Sequence, residues 1–386
     1  MSFDLSLEQR MIRDMAREFA REVIAPRGEE MERTGDYPYD IIARMGEVGM
    51  MGIPFPEEYG GSGGDWVGMM LCVEEVARGD VTLGVMLDVT TGVVGEEIYA
   101  FGTEEQKRKW LVPLAQGKQI GAFGLTEPNS GSDAAALTTT ADLDGDEWVL
   151  NGTKQFVTNI GLDNSTVILV AAKIQREQGG RVISTFIVPK GAPGFILGER
   201  YQKLSWHASA THSVILDNCR IPKENLLGNP NRGFAQHLAV LETGRLCIAA
   251  VSVGLAQACL DHALRYAKER TQFGRPIFNH QAIQFKLADM AVMIELARNQ
   301  YLKAAWLKDQ GKPHAFETVV AKLFASEMAE KVASDALQIH GGYGYMQEFA
   351  VSRYYASAKV LQIVEGTSEV QRLLIGRMLN SLQAHR

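Results

Sequence analysis

One carboxylate, Glu365, lies in the segment LQIVEGTSEVQR (residues 361–372), where it could act as a general base. It follows the β-branched residues Ile363 and Val364 and precedes Gly366. Apolar neighbours keep water away from a carboxylate, and burial raises its pKa from a reference value of about 4.3 toward neutral pH. Gly366 would let a bound substrate approach the backbone. The segment therefore predicts a dry carboxylate that can accept a proton.

A purely structural role for Glu365 is the alternative, because the sequence predicts a helix directly after it. Ser368 and Gln371 form a capping-box pattern, which indicates a helix N-terminus at this point. An acid just before such a terminus is physically reasonable without any catalysis.

Two further segments have compositions suited to a bound ligand. GAFGLTEPNSGSDAAAL (121–137) combines small residues with hydroxyl side chains, so backbone N–H groups and hydroxyls could reach a flat or anionic ligand. QIHGGYGYMQEFAVSRYYASAK (338–359) places Gly341 and Gly342 at a predicted helix end, where they could leave room for a ligand. The alternatives are a turn-rich entry to a sheet for the first segment and a helix C-cap for the second.

The composition and net charge exclude several classes of protein. The 386 residues are 46% apolar and 22% charged with a formal charge of −7, so a packed core is expected and nucleic acid is not. The N-terminus has no apolar signal-peptide core, and no window approaches about eighteen uninterrupted apolar residues, so a cytoplasmic protein without membrane insertion is predicted. The cysteines have neither CxxC nor metal-type spacing, which predicts small buried residues, a reducing compartment and no metal site; they are Cys72, Cys219, Cys247 and Cys259.

The elements that must position these residues begin with helices up to about residue 119. Ser6 and Gln9 form a capping-box pattern, apolar residues follow at helical spacing, and another helix is predicted to begin at Thr103. From about 120 to 230, four β-branched or aromatic runs separated by turn residues predict an antiparallel sheet with a hairpin at Asp144-Gly145.

From about residue 231 the chain is again predicted to be helical. A proline-free helix extends to about residue 270, a second one ends before Gly311, and others cover roughly 315–339 and 368–382. Helices, then strands, then helices indicate an α+β protein. Neither GxGxxG after a strand nor GxxxxGK[ST] occurs, so a Rossmann dinucleotide site and a P-loop are not supported.

These segments together give a resemblance to the acyl-CoA dehydrogenase family over essentially the whole chain. Four of them stand in the order and spacing of that family: GAFGLTEPNSGSDA, FGRPIFNHQAIQFKLADM, QIHGGYGYMQEFAVSRYYASAK and EGTSEVQR. The chain is most similar to the bacterial short-chain, butyryl-CoA-like branch.

The resemblance implies a fold of three domains. These are an N-terminal α-helical domain (1–119), a central antiparallel β-barrel (120–230) and a C-terminal four-helix bundle (231–386). In the family, FAD lies between barrel and bundle, and the subunits usually form homotetramers.

The resemblance also implies which residues bind the cofactor. The ADP portion would be held by Arg270, Gln281 and residues 338–342, partly across a subunit interface. All the implied FAD-binding residues are Phe123, Leu125, Thr126, Ser132, Phe156, Val157, Thr158, Arg270, Gln281, Gln338, Gly341, Gly342, Thr367 and Glu369. Read without the family, Arg270 could simply stabilise a helix end.

The implied reaction oxidises a saturated acyl-CoA to the trans-2-enoyl thioester. Glu365 would remove the α proton while the β hydride moves to flavin N5, and a flavin hydroxyl and the Glu365 backbone N–H would hold the thioester carbonyl. Some branches place the base at the position of Gly244, where glycine cannot serve. The implied substrate-binding residues are Ser132, Glu242, Arg245 and Gly366, although the family more often has Asp where Glu242 stands.

Asp88, in LGVMLDVTTGVV, departs from the family, which usually has small or apolar residues in this acyl-lining helix. A functional interpretation makes it a second carboxylate facing the acyl group, which would contact a polar, cyclic or branched substrate or take a proton from a carbon other than the α carbon. The alternative is a helix-surface or capping aspartate.

The sequence therefore predicts a cytoplasmic, FAD-dependent, short-chain acyl-CoA dehydrogenase that passes electrons to an electron-transfer flavoprotein. Within the enzymes, the alternative is a dehydrogenase of a cyclic or branched acyl-CoA. From another class, the alternative is an inactive acyl-CoA-binding scaffold, against which the intact flavin segments and Glu365 argue.

Overall fold

The computed structural model describes residues 4–175 and 180–383. Its helices are α1 Leu7–Phe19, α2 Gly28–Thr34, α3 Tyr39–Glu47, α4 Trp66–Gly79, α5 Val81–Leu87, α6 Glu96–Phe101, α7 Glu104–Gln106, α8 Val112–Ala115, α9 Gly233–Glu269, α10 Gln281–Asp309, α11 Ala315–His340, α12 Ala350–Ala358 and α13 Ser368–Gln383. Its strands are β1 Ile120–Gly124, β2 Thr140–Asp144, β3 Glu147–Thr158, β4 Ser165–Gln175, β5 Arg181–Pro189, β6 Phe195–Arg200, β7 Thr211–Pro222, β8 Leu226–Leu227, β9 Thr271–Gln272 and β10 Arg275–Pro276.

Local signals predicted the N-terminal helices well. The capping box of Ser6 and Gln9 is present at the start of α1, and a second one, formed by Thr103 and Gln106, starts α7. Between α5 and α6 the chain stays helical but widens into a π-helical segment, Asp88–Gly95. This rare form is frequent at functional sites, because the wider turn displaces side chains from their α-helical positions.

The strands form one large mixed sheet rather than a purely antiparallel one. Hydrogen-bonded neighbours follow the order β6-β7-β3-β2-β4-β5-β8, and β1 pairs parallel to β4. β2 and β3 form the predicted hairpin, with Gly145 at a φ of 63°. Within the described residues no ladder joins the end strands β6 and β8, so the prediction of a closed antiparallel barrel is wrong.

One face of the sheet packs against the helices, and the side chains on its other face form a second hydrophobic core. Along β4, Val167 and Leu169 belong to the large core that also contains the helices, whereas Ile168 and Val170 belong to a core within the sheet. This alternation follows from the two-residue repeat of a strand. At Gly121 of β1, an added Cβ would lie 2.6 Å from Val94, so β1 packs directly on the π-helical segment.

The C-terminal helices agree closely with the predicted ranges. α9, α10 and α11 pack on one another, and α12 and α13 pack on α11; a four-helix arrangement of these elements stays a prediction. α9 is long and apolar enough to cross a membrane by composition, but 83% of its most apolar window is buried inside the protein. Such a helix is expected at the centre of a globular core.

Candidate active site

Glu365 lies in a strained turn between α12 and α13. Its φ is 54°, a left-handed conformation that is uncommon for residues other than glycine. The next residue, Gly366, has a φ of 92°, and a Cβ there would lie 2.8 Å from the Gln371 amide nitrogen. Strained backbone of this kind persists only where the surroundings hold it, and it is concentrated at functional sites.

Three side chains hold this turn by its carbonyl oxygens. Arg245 Nε donates to the carbonyl of Glu365 at 3.3 Å, and Lys322 Nζ donates to that of Gly366 at 2.7 Å. Gln371 Nε2 lies 3.0 Å from both carbonyls. Because the three donors come from α9, α11 and α13, the turn is fixed from several directions.

The carboxylate of Glu365 is buried even though the residue as a whole is partly exposed. Its Oε2 atom is out of contact with solvent and has no hydrogen-bond partner among the described residues. A Cβ added to Gly244 would lie 2.9 Å from Glu365 Cδ and 3.1 Å from Val93. The carboxylate therefore occupies the space that glycine leaves on α9, next to the π-helical segment.

The electrostatic setting of this carboxylate favours proton uptake near neutral pH. Burial raises the pKa of Glu365 to about 7, against the opposing influence of Arg245 and Lys322. Burial also lowers the pKa of Lys322 to about 8. A group with a pKa near the working pH can both accept and release a proton, which suits a general base.

The source of the dry setting differs from the prediction. Ile363 is 54% exposed and does not shield the carboxylate, so its predicted role is wrong. Val364 is partly buried and packs against the large core. Gly244 and Val93, which are remote in the sequence, provide the close contacts instead.

The N-cap of α13 is Thr367 rather than the predicted Ser368. Thr367 Oγ1 accepts a hydrogen bond from the N–H of Val370 at 3.3 Å, whereas Ser368 Oγ is buried without a partner in the described chain. Gln371 is turned toward the Glu365 turn and does not complete a capping box. Glu369 is exposed, and its pKa is lowered by backbone hydrogen bonding and by Thr367.

The implied substrate residues on α9 lie in different surroundings. Arg245 is only 8% exposed and contacts the Glu365 turn. Burial lowers the pKa of Arg245, while Glu365 and Glu242 oppose this. Glu242 is partly exposed and lies 3.7 Å from His314 Nε2. The structure thus brings Arg245, but not Glu242, to the candidate base.

The implied flavin-binding residues of the first segment lie along the end of β1 and the loop after it. Phe123, Leu125 and Thr126 are partly exposed, and Phe123 lies edge-on to His237 at 5.0 Å. Ser132 is exposed further along the loop. These side chains are accessible to a ligand between the sheet and the helices.

The implied flavin strand, residues 156–158, alternates in its exposure. Phe156 is 65% exposed at a φ of 57°, and Thr158 is partly exposed. Val157 is fully buried in the core within the sheet. Phe156 and Thr158 are therefore available for ligand contact through their side chains, whereas the side chain of Val157 is used for packing.

A pocket of about 730 Å³ brings together several residues implied for the ADP portion. Arg270, Gly341 and Gly342 line it, and an added Cβ at either glycine would meet no other atom within 4 Å. Gln281 and Gln338 are exposed and do not line this pocket within the described chain. A guanidinium and bare backbone in a pocket of this size fit a phosphate-bearing cofactor.

Asp88 is buried, so the interpretation as a helix-surface aspartate is wrong, although its backbone N–H does occupy the C-cap position of α5. It is 1% exposed, it begins the π-helical segment, and its Oδ1 has no hydrogen-bond partner in the described parts of the chain. Burial raises the pKa of Asp88 well above its usual range, and the charge of Glu365 adds to this.

Sequence reasoning missed Lys322, which holds the candidate base in place. One signal was available: in ETVVAKLFASE this lysine falls on the buried face of α11, together with Val319, Ala325 and Ser326. A lysine on such a face is rarely buried without a partner. Here the partner is the carbonyl of Gly366.

Comparisons with known proteins agree with this fold. The chain matches three family models: acyl-CoA dehydrogenase, N-terminal domain, over residues 6–118; middle domain, over 122–219; and C-terminal domain, over 231–380. The short-chain specific acyl-CoA dehydrogenase of Clostridium acetobutylicum is 44% identical over 97% of this chain and 98% of that protein.

Two solved structures are similar over almost their whole length. Butyryl-CoA dehydrogenase from Megasphaera elsdenii has a TM-score of 0.95 at 40% identity, covering 98% of this chain and 100% of that one. A chain in a structure described for the electron transferring flavoprotein of Acidaminococcus fermentans has a TM-score of 0.95 at 46% identity, covering 98% and 99%.

The matches over the N-terminal helical part, the middle sheet and the C-terminal helical part define a flavin-dependent oxidoreductase. The chain belongs to the acyl-CoA dehydrogenase family, and its cofactor is FAD. The sequence-based resemblance to this family is confirmed.

Proposed function

We propose that this enzyme oxidises short-chain acyl-CoA thioesters to trans-2-enoyl-CoA, with Glu365 as the general base. The observation that carries the proposal is the Glu365 carboxylate, which is buried, has a pKa of about 7 and has no hydrogen-bond partner for Oε2 among the described residues. The names of the relatives from Clostridium acetobutylicum and Megasphaera elsdenii support a short acyl chain.

In the proposed reaction Glu365 takes the α proton of the thioester. The electron pair of that C–H bond becomes the π bond between the α and β carbons as the β carbon loses a hydride, which is one proton with two electrons. FAD supplies the hydride acceptor, at N5 of its flavin. An α proton of this kind is far too weakly acidic for a solvated carboxylate, which is why burial of Glu365 matters.

The turn itself would stabilise the developing negative charge on the thioester oxygen. The backbone N–H of Glu365 donates to no protein acceptor within the described residues, whereas the carbonyls of Glu365 and Gly366 are held by three side chains. A fixed, unused N–H beside the base is suited to an enolate-like oxygen. The strained backbone of Glu365 is thus consistent with a turn that points its N–H toward the thioester oxygen.

The residues proposed to hold FAD fall into two groups. The end of β1 and the strand at 156–158 would contact the flavin, and the pocket lined by Arg270, Gly341 and Gly342 would take the ADP portion. Gln281 and Gln338 would also hold the ADP portion, partly across a subunit interface, and Thr367 and Glu369 would form a further turn that contacts FAD. For acyl-CoA, Ser132, Glu242, Arg245 and Gly366 remain the proposed contacts.

The remaining assignments follow from the family. The enzyme is proposed to pass electrons to an electron-transfer flavoprotein, in agreement with the similarity to the Acidaminococcus fermentans chain. A cytoplasmic homotetramer with domains at 1–119, 120–230 and 231–386 is part of the same proposal. A cyclic or branched substrate stays the alternative.

Anaerobic titration of the FAD-loaded protein tests the proposal. Butyryl-CoA should bleach the flavin absorbance near stoichiometric amounts, and a long-chain acyl-CoA should bleach it less. Unchanged flavin absorbance with every acyl-CoA, including cyclohexanecarbonyl-CoA and isobutyryl-CoA, would overturn the proposed function. Bleaching by only the cyclic or branched thioester would replace the linear substrate with that alternative.

A further inference from the structure

One of the buried carboxyls without a role in the proposed function, that of Asp88, interacts electrostatically with Glu365. Asp88 is 1% exposed, yet its Oδ1 accepts no hydrogen bond within the described parts of the chain. A buried polar atom without a hydrogen-bond partner has lost its hydration without compensation, which lowers the free energy of unfolding. Such an atom therefore requires an explanation. A ligand group is one explanation where the atom faces a ligand site.

Asp88 lies on the same side of α9 as Glu365. A Cβ added to Gly92 would lie 2.7 Å from Cys247 Sγ and 3.4 Å from Asp88 Oδ1, so Asp88 and Cys247 meet in the space that Gly92 leaves. The Glu365 carboxyl likewise lies in the space left by a glycine, Gly244 of α9.

Gly244 and Cys247 are three residues apart on a helix, so they are neighbours on one face, with Cβ positions roughly 5–6 Å apart. Asp88 and Glu365 therefore contact the same face of α9, about one helical turn apart. The π-helical segment, which carries Asp88, packs against this face of α9. π-Helical turns displace side chains from their α-helical positions and are frequent at functional sites.

The protonation state of Asp88 indicates what it could bind. Burial raises the pKa of Asp88 well above its usual range and the charge of Glu365 raises it further, whereas hydrogen bonding between the Cys247 thiol and the carboxyl opposes this only in part. A neutral carboxylic acid has one O–H donor and a carbonyl acceptor. It suits a neutral partner that can both accept and donate, because an ionic partner in a dry pocket would carry a large desolvation cost.

We propose that Asp88 is a specificity residue that selects acyl groups carrying a hydroxyl beyond the β carbon. The inference rests on the proposed function, since Glu365 fixes where the α and β carbons lie. The rest of a short acyl chain, directed along α9, would reach Asp88 at its third or fourth carbon beyond the carbonyl. A hydroxyl there would donate to Oδ1 and accept from the acid O–H.

The test uses the FAD-loaded enzyme and pairs of substrates of nearly equal size. In 4-hydroxybutyryl-CoA and pentanoyl-CoA, and in 5-hydroxypentanoyl-CoA and hexanoyl-CoA, a hydroxyl replaces a terminal methyl. With an artificial electron acceptor, kcat/KM of at least one hydroxylated member should exceed that of its partner by at least about tenfold, the upper end of the net contribution of one hydrogen bond.

Two variants separate a hydrogen bond from a change of shape. Asp88→Leu should reverse the preference within the pair, whereas Asp88→Asn, which keeps a donor and an acceptor, should retain part of it. Asp142→Asn, at an exposed aspartate in β2, is the matched control and should leave the ratio unchanged. The flavin spectrum of each variant reports whether the site is still assembled.

The outcomes distinguish this inference from the proposed function. A wild-type enzyme that oxidises both members of each pair equally, with a ratio unaffected by Asp88→Leu, would overturn the inference and leave the proposed function intact. A clear preference for cyclohexanecarbonyl-CoA or isobutyryl-CoA would also overturn it. An enzyme that oxidises no acyl-CoA would overturn the proposed function itself.

Discussion

Lys322 Nζ lies 2.7 Å from the carbonyl oxygen of Gly366, the residue that follows the candidate base. Lys322 is completely buried, so its positive charge acts on Glu365 with little screening by water. One side chain thus both fixes the turn and opposes the rise in the pKa of the carboxylate.

Replacing Glu365 by glutamine tests the role of the base. Glu365→Gln keeps the size of the side chain but removes the proton acceptor, so kcat with butyryl-CoA should fall by about 10²–10⁴-fold while FAD stays bound. Steady-state kinetics and the flavin spectrum measure this. Glu105→Gln, at an exposed residue of α7, is the control and should retain full activity. Normal turnover by Glu365→Gln would show that another group takes the proton.

The pH dependence of turnover should follow the ionisation of Glu365. The base must be deprotonated, so kcat should rise with pH through a midpoint near the pKa of about 7. Lys322→Met removes a nearby positive charge, which raises the pKa of Glu365 and moves the midpoint upward by up to about one unit (about 1.4 kcal/mol).

Lys303→Met is the matched control for this shift, because Lys303 is half exposed and pairs with Glu317 away from the turn. Its kcat profile should coincide with that of the wild type. A Lys322→Met profile with an unchanged or lowered midpoint would contradict the proposed electrostatic coupling.

The contact between Gly244 and Glu365 predicts that the base can be relocated. A Cβ at 244 would lie 2.9 Å from the carboxyl carbon of Glu365, so a glutamate on α9 could reach the same space. Glu365→Gly should abolish turnover. The double variant Glu365→Gly with Gly244→Glu should have a kcat at least about tenfold higher than that of Glu365→Gly alone. Gly244→Gln in the same background should recover none, and equal activity of the two double variants would refute the relocation.

Arg270 should contribute to FAD retention. It lines the pocket assigned to the ADP portion, and a charge-assisted hydrogen bond is worth about 1.5–3 kcal/mol. Arg270→Ala should therefore weaken FAD binding about tenfold or more, measured as FAD released on dilution and as the protein-bound flavin absorbance. Arg33→Ala, at an exposed arginine of α2, should not change retention. Equal loss in both variants would point to a general charge effect.

The pair formed by Glu127 and Lys154 should act as one unit in stability. Lys154 Nζ lies 2.7 Å from the Glu127 carboxylate, both side chains are buried, and Lys154 also donates to the carbonyl of Leu125. Although burial opposes it, hydrogen bonding to Lys154 and Thr139 lowers the pKa of Glu127 to about 2.

Lys154→Met should lower the free energy of unfolding by about 3–5 kcal/mol, because it leaves a buried charge without its partner. Adding Glu127→Leu should cost less than the sum of the two single changes. Urea unfolding of the four proteins measures the coupling. Additive effects would mean that the two side chains act independently.

The sign of the acid dependence follows from the lowered pKa of Glu127. Because the folded-state pKa lies below its ordinary value, the stabilisation is present above pH 4.5 and is lost as the pH falls toward 2. Wild-type stability should therefore decline over this range, and the Glu127→Leu variant should lack this component.

Much of the architecture was determined locally by the sequence. Capping residues such as Ser6 and Thr103, the Asp144-Gly145 turn and the apolar periodicity of α9 act over a few residues, so they specify elements without reference to the rest of the chain. The family segments likewise identified Glu365 and Arg270 as candidates. Sheet closure could not be predicted in the same way, because strand pairing joins distant segments.

The dryness of Glu365 was decided only by the tertiary structure. Its sequence neighbour Ile363 points to solvent, and the close contacts come from Gly244 and Val93, with Lys322 holding the turn. Burial is produced by every segment that packs around an atom, most of them remote in the chain, so adjacent residues are a poor guide to it. The sequence by itself determined which residue could be the base; the packing of α9, α11 and the π-helical segment decided that it is a buried one.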